Sequence, residues 1–206
     1  MKVLLINGSP KEKGCTYTAL SEVLSALKEN GVDGEIIHIG KTQQGCIGCG
    51  YCKKTEKCAF GDDDGLNELL DKAKDADGFV IGTPVHFASA SGMVTAFMDR
   101  FFMASKHTAY KPGAVVVSCR RGGASAAFDQ LNKYFTIKNM PIVSSNYWNM
   151  VHGSKPEDVL KDEEGVQTMR ILGKNMAWLL KCINAGENAG VEIPAAEIKI
   201  NTNYIR

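Results

Sequence analysis

Residues 3–18, VLLINGSPKEKGCTYT, decide the fold. Val3 to Ile6 is an aliphatic run with no polar alternation, which suits a parallel strand buried on both faces. Asn7-Gly8-Ser9-Pro10-Lys11 turns the chain, and Gly14-Cys15-Thr16 leads into an apolar stripe at helical spacing: Ala19, Leu20, Val23, Leu24 and Leu27, closed by Asn30-Gly31. A strand, a short loop rich in Gly and hydroxyls, and a helix start together make an anion site. Backbone N–H groups without intrahelical partners and the helix dipole both point into the loop. Ser9, Thr16 and Thr18 offer hydroxyl donors there as well. The loop is neither GxGxxG nor a Walker A sequence, so a single phosphate monoester fits it better than a dinucleotide or a nucleoside triphosphate. An ordinary turn capped by a threonine would account for the same residues without any ligand.

Outward from this unit the pattern repeats. Glu35 to Ile39, Phe79 to Gly82, Ala114 to Ser118 and Pro141 to Ser144 are further short apolar runs. Between them, helical spacing covers Leu66 to Ala76, Met93 to Met103, Ala124 to Phe135, and a last stripe from Val166 to Ile183 that stops at Ala185-Gly186. Asp62, Asp63 and Asp64 sit at the front of the second helix, where negative charge is favourable. Five strands alternating with five helices predict an α/β protein: a three-layer, flavodoxin-like fold with a five-stranded parallel sheet in the order 2-1-3-4-5. The whole chain, 1–206, reads as one domain. Two segments do not fit the alternation, the Cys-rich loop at 40–61 and the stretch from Asn146 to Asp162. In this architecture ligands lie beyond the carboxyl ends of the strands, so the loops after strands one, three and four are the informative ones.

Composition narrows the function. The chain of 206 residues is 44% hydrophobic, enough for one buried core. Its 24 Lys and Arg nearly cancel 23 Asp and Glu, which argues against nucleic acid as a partner. No stretch approaches the roughly 20 apolar residues of a membrane helix, so no membrane is expected. Seven cysteines, an odd number, are unlike a secreted disulfide framework and point to a cytoplasmic protein. Four of them, Cys46, Cys49, Cys52 and Cys58, read CxxCxxCx5C. That compact spacing suits the ligands of a [4Fe–4S] cluster better than structural zinc, whose paired knuckles are usually further apart. Zinc and unmetallated thiols stay open as alternatives, the more so because Ala59 stands where bacterial ferredoxin runs carry Pro. Cys15 and Cys182 read as small buried hydrophobes.

The other two loops carry their own signals. After the third strand comes Thr83-Pro84-Val85-His86-Phe87, where Pro84 stiffens the strand end. Asp99-Arg100, further along, reads as a structural ion pair or a solvated one. The fourth strand leads into Cys119-Arg120-Arg121-Gly122-Gly123. Gly123-Ala124-Ser125-Ala126-Ala127 is one residue short of a hydrolase elbow and lies inside the helix, which excludes that chemistry.

Two motifs in the right order, GSPKEKGCT (8–16) and IGTPVHFASASGMVTAFMDRFF (81–102), resemble the flavodoxin-like NAD(P)H-dependent FMN reductases and their relatives, the iron–sulfur flavoproteins. The likeness covers roughly residues 1 to 135. It implies Ser9, Lys11, Thr16, Tyr17 and Thr18 as neighbours of the FMN phosphate. It places Pro84, Val85, His86 and Phe87 along the isoalloxazine ring, His86 standing where the family often has Tyr. The backbone of Cys119, Arg120, Arg121, Gly122 and Gly123 would approach the pyrimidine end, with an Arg stabilising negative charge on reduced flavin.

The function implied is an FMN-dependent oxidoreductase that takes hydride from NAD(P)H at flavin N5. It would pass electrons to a quinone, free flavin, nitro or azo compound, or a redox protein. The flavin carries the chemistry, so no catalytic side chain is required. A homodimer or homotetramer is expected. One alternative is an iron–sulfur flavoprotein exchanging electrons with ferredoxin-like partners through a [4Fe–4S] cluster on Cys46, Cys49, Cys52 and Cys58. Another is a non-enzymatic electron carrier like flavodoxin.

Overall fold

The computed structural model describes residues 1–40, 42–198 and 200–202. Among these residues six strands join one sheet, five of them parallel in the order β2-β1-β3-β5-β6. These are β1 (Lys2–Asn7), β2 (Asp33–His38), β3 (Gly78–His86), β5 (Gly113–Cys119) and β6 (Met150–His152), while the two-residue β4 (Ser89–Ala90) folds back antiparallel on β3. The spatial order is the flavodoxin-like one read from the sequence, with β4 as an addition. Alternate residues of the aliphatic runs face opposite layers, which is why the runs show no polar alternation. Leu4, Ile6, Phe79, Ile81, Val115 and Val117 pack with α3 (Leu66–Lys74), α4 (Gly92–Ala104) and α5 (Ala124–Ile137). Val3, Leu5, Val80, Ala114 and Val116 pack on the other face with α1 (Cys15–Glu29) and α7 (Glu163–Asn188). No described helix is long and apolar enough to cross a membrane.

The edge strand differs from the sequence reading. Pro141 to Ser144, expected as the fifth strand, makes only an isolated bridge between Ile142 and Gly113. Gly113 donates to Pro141 O and accepts from Val143 N, both at 2.9 Å. The chain then leaves the sheet through Ser144 to Trp148 and returns at Asn149, whose carbonyl accepts from Val117 N at 2.9 Å, so pairing resumes as β6. Pro141 has no N–H to donate, and the Ser and Asn that follow prefer to bond locally. The Ser145 hydroxyl lies 2.6 Å from Tyr147 O and 2.7 Å from the Asn149 side-chain oxygen, holding the excursion closed. Among the described residues, the two segments outside the strand–helix alternation each hold one short helix, α2 (Tyr51–Thr55) and α6 (Pro156–Val159).

Candidate functional site

The loop after β1 is a backbone cradle. Asn7, fully buried, accepts from Ser9 N at 3.1 Å and donates to Glu12 O at 2.8 Å, so its side chain sets the turn. His38 Nε2 donates to Ser9 O at 2.8 Å from the end of β2. The Ser9 hydroxyl accepts from Lys11 N at 3.1 Å, which leaves its own proton free to donate. Gly14 caps α1 with extended backbone and no side-chain bond, and among the described residues no side chain answers the N–H groups of the first turn. A Cβ on Gly8 would stand 1.7 Å from Val94 Cγ2 and 2.9 Å from Gly82 O; only glycine lets the loop press against α4 and β3. Tyr17 and Thr18 are half-buried on the same helix turn, Thr18 reaching Gly14 O at 3.3 Å, and Lys11 is exposed. Thr16 is buried, and its hydroxyl meets Ser118 Oγ at 2.8 Å, joining α1 to β5.

The loops after β3 and β5 converge beside this cradle. Ser91 caps α4 through Val94 N, and its hydroxyl donates to Gly8 O at 3.1 Å, linking the first and third loops. Pro84 and Val85 are half-buried while His86 and Phe87 are exposed, Phe87 completely at 105%. Phe87 and Ala88 form the two-residue turn between β3 and β4 with φ of 48° and 60°. Turns of this kind ordinarily use Asn or Gly, so a bulky residue there is strained and stays because the surroundings hold it. Gln130 of α5 does so, its side-chain oxygen accepting from Ser89 Oγ at 2.8 Å and Ala90 N at 3.2 Å. An Ala88→Gly protein is expected to gain up to about 1 kcal/mol in urea unfolding, since glycine adopts this φ without strain. Gly123, at φ 89°, starts α5 without a side-chain cap. A Cβ there would meet Ala88 Cα at 2.6 Å, so the third and fourth loops touch. Cys119 is buried, which pushes its thiol up, and Arg120, Arg121 and Gly122 are exposed.

The cysteine loop makes a second concavity. Cys46, Cys49, Cys52 and Cys58 all line one pocket of about 170 Å³ against Arg100 and Met103 of α4. All four are free thiols; Cys46 and Cys49 are exposed, Cys52 and Cys58 half-buried. Among the described residues no three His, Cys, Asp or Glu converge closely enough to hold a single metal ion. Four cysteines lining one pocket match in number the thiolate ligands of a [4Fe–4S] cluster. Cys15 is half-buried and Cys182 exposed, so neither is the buried small residue expected.

Arg100 was missed as a site residue. Its partner is not Asp99, which accepts from the Tyr134 hydroxyl, but Asp64, engaged by both guanidinium Nη atoms. Burial opposes its charge, and the bonds to Asp64 and Cys58 outweigh that, raising its pKa above the ordinary arginine range. Asp64 thus serves the pair more than the helix front, reaching Leu66 N only at 3.3 Å. Arg100 lies about 12 Å along α4 from Gly92, at 1.5 Å per residue, which separates the pocket from the loops at the strand ends.

The profile of the NADPH-dependent FMN reductase family matches residues 1–155. The chain belongs to that family. Among curated relatives of this FMN reductase family member, an iron–sulfur flavoprotein of Methanocaldococcus jannaschii is 36% identical over 197 residues, spanning 89% of this chain and 99% of its own. One of Archaeoglobus fulgidus is 30% identical, spanning 85% of this chain and 95% of its own. Solved structures agree on the fold. An archaeal flavodoxin aligns with a TM-score of 0.61 at 18% identity, over 88% of this chain and 99% of its own. An NADH:FMN oxidoreductase aligns with a TM-score of 0.64 at 18% identity, over 86% and 89%. The three loops fit FMN: an uncapped helix start and a free Ser9 proton for the phosphate, and a β3 loop that touches the β5 loop for the ring.

Proposed function

We propose that this protein is an iron–sulfur flavoprotein, an FMN oxidoreductase whose second redox group is a [4Fe–4S] cluster on Cys46, Cys49, Cys52 and Cys58. The observation that carries the reading is that those four thiols line one pocket, in a chain of the FMN reductase family. When bound, FMN supplies one- and two-electron chemistry and the cluster single electrons. The chain's residues bind and orient. The α1 start and Ser9 would hold the phosphate, with Lys11 alongside. Pro84 to Phe87 would line the ring, and the backbone from Cys119 to Gly123 would face its pyrimidine end, where Arg120 or Arg121 would offset negative charge. The partners such a protein would serve are a ferredoxin-like electron donor and a small-molecule acceptor.

A second reading keeps NAD(P)H as the direct donor. It is favoured by the exposure of His86 and Phe87, which leaves room for a nicotinamide to stack beside the ring. One sample decides between the two. Anaerobically purified protein is expected to show flavin absorbance over a broad cluster absorbance, with about four irons per chain. Flavin with zinc or with no metal would overturn the cluster. Rapid flavin bleaching by NADPH alone, with parallel initial-rate lines against acceptor, would make the nicotinamide the donor.

A further inference from the structure

We propose that Arg100 is the positioning residue of the cysteine pocket, fixing the Cys58 sulfur and raising the reduction potential of the group held there. The inference rests on the cluster reading above. The Arg100 side chain is 1% exposed and lies among three segments distant in sequence. Nε–H donates to Cys58 Sγ at 3.2 Å, Nη1 donates to Gln44 O at 3.3 Å, and the outer nitrogens hold Asp64. Gln44 precedes the first ligand and Cys58 is the last, so one guanidinium ties together both ends of the segment that carries all four thiols. Asn67, itself buried, holds the backbone of Cys58 at both polar atoms, accepting from its N at 2.8 Å and donating to its O at 3.0 Å. Cys58 is therefore clamped at backbone and sulfur alike. Among the described residues no other side chain donates a hydrogen bond to a sulfur of this loop.

A purely structural Arg–Asp pair would leave Nε pointing anywhere; here it is aimed at a ligand atom. An N–H donor on a metal-bound thiolate draws electron density from it, and the guanidinium charge favours the form carrying one more electron. Both effects move the potential in the same direction, upward. Asp64 tempers them by offsetting part of the guanidinium charge.

The test is an anaerobic redox titration of the FMN-loaded protein, followed by electron paramagnetic resonance, with iron content measured on each sample. At the wild-type midpoint, Arg100→Gln is expected to lower the reduced-to-oxidised ratio of the cluster about tenfold, a shift of about 59 mV for one electron. Arg100→Lys, with one amine in place of the fork, shifts it the same way by less. Asp64→Asn keeps an acceptor for the guanidinium but removes the opposing charge, so its midpoint rises. The FMN midpoint stays put in all three. Iron in the wild type with unmoved cluster midpoints in the variants overturns the role of Arg100 and leaves the proposed function standing. Should Arg100→Gln fail to fold, Asp64→Asn and Arg100→Lys decide by the same readout. A wild-type protein that binds no iron overturns both readings together.

Discussion

A Ser9→Asp protein is expected to bind FMN about a thousandfold more weakly than wild type, with riboflavin binding unchanged. Ser9 is buried in the β1 loop; its backbone is held by Asn7 and His38, and its hydroxyl accepts from Lys11 N. An aspartate carboxylate can still accept from Lys11 N, and the backbone bonds to Asn7 and His38 do not depend on the side chain. The substitution puts a carboxylate in the proposed phosphate site. Like charges about 4 Å apart at an effective dielectric of about 20 repel by about 4 kcal/mol, and about 1.4 kcal/mol is tenfold in affinity. Salt screens a site at the protein edge, so the effect shrinks at high ionic strength. Flavin fluorescence titrations with FMN and riboflavin check it. Equal losses for both ligands would mean the loop had collapsed, and no loss for FMN would place the phosphate elsewhere.

What the sequence makes legible is what lies close along the chain. Val3 to Thr18 contains its strand, its turn and its helix start in one stretch, so both the local fold and its anion-binding character can be read without long-range information. The CxxCxxCx5C run announces a ligand set for the same reason. Asp64 and Arg100 are 36 residues apart, and each has a plausible local partner. Asp64 looks like helix-front charge, and Arg100 looks paired to its neighbour Asp99, whereas tertiary packing joins the two. The broken edge strand is hidden in a similar way. Ile142 and Val143 form an apolar run, but one bridge is all they make, because Ser145 and Asn149 close an excursion that puts Met150 to His152 in the remaining register. The turn at Phe87-Ala88 carries no turn signal at all, since neither residue favours positive φ. Such strain at the edge of a ligand site is held by the fold around it, and propensity alone points away from it.

Asp64→Ala is expected to cost about 3–5 kcal/mol in urea unfolding, the largest stability effect of any single change considered. Arg100 and Asp64 side chains are 1% and 8% exposed, so removing the carboxylate leaves a guanidinium without its counter-charge and out of reach of water. Bonds to Cys58 Sγ and Gln44 O remain, but neither satisfies the outer nitrogen that held Asp64 Oδ1 at 3.1 Å. For a domain of this size each kcal/mol is worth about 2–4 °C, so the melting temperature should fall by about 10 °C. Replacing both partners, Asp64→Leu with Arg100→Met, should recover most of the loss, because the pair's own net contribution is small once desolvation is counted. A metal-bound thiolate at Cys58 would supply part of the missing negative charge. Asp64→Ala should therefore be less harmful in iron-loaded protein than after chelation, and equal losses in both would mean that the cluster does not lie against Arg100.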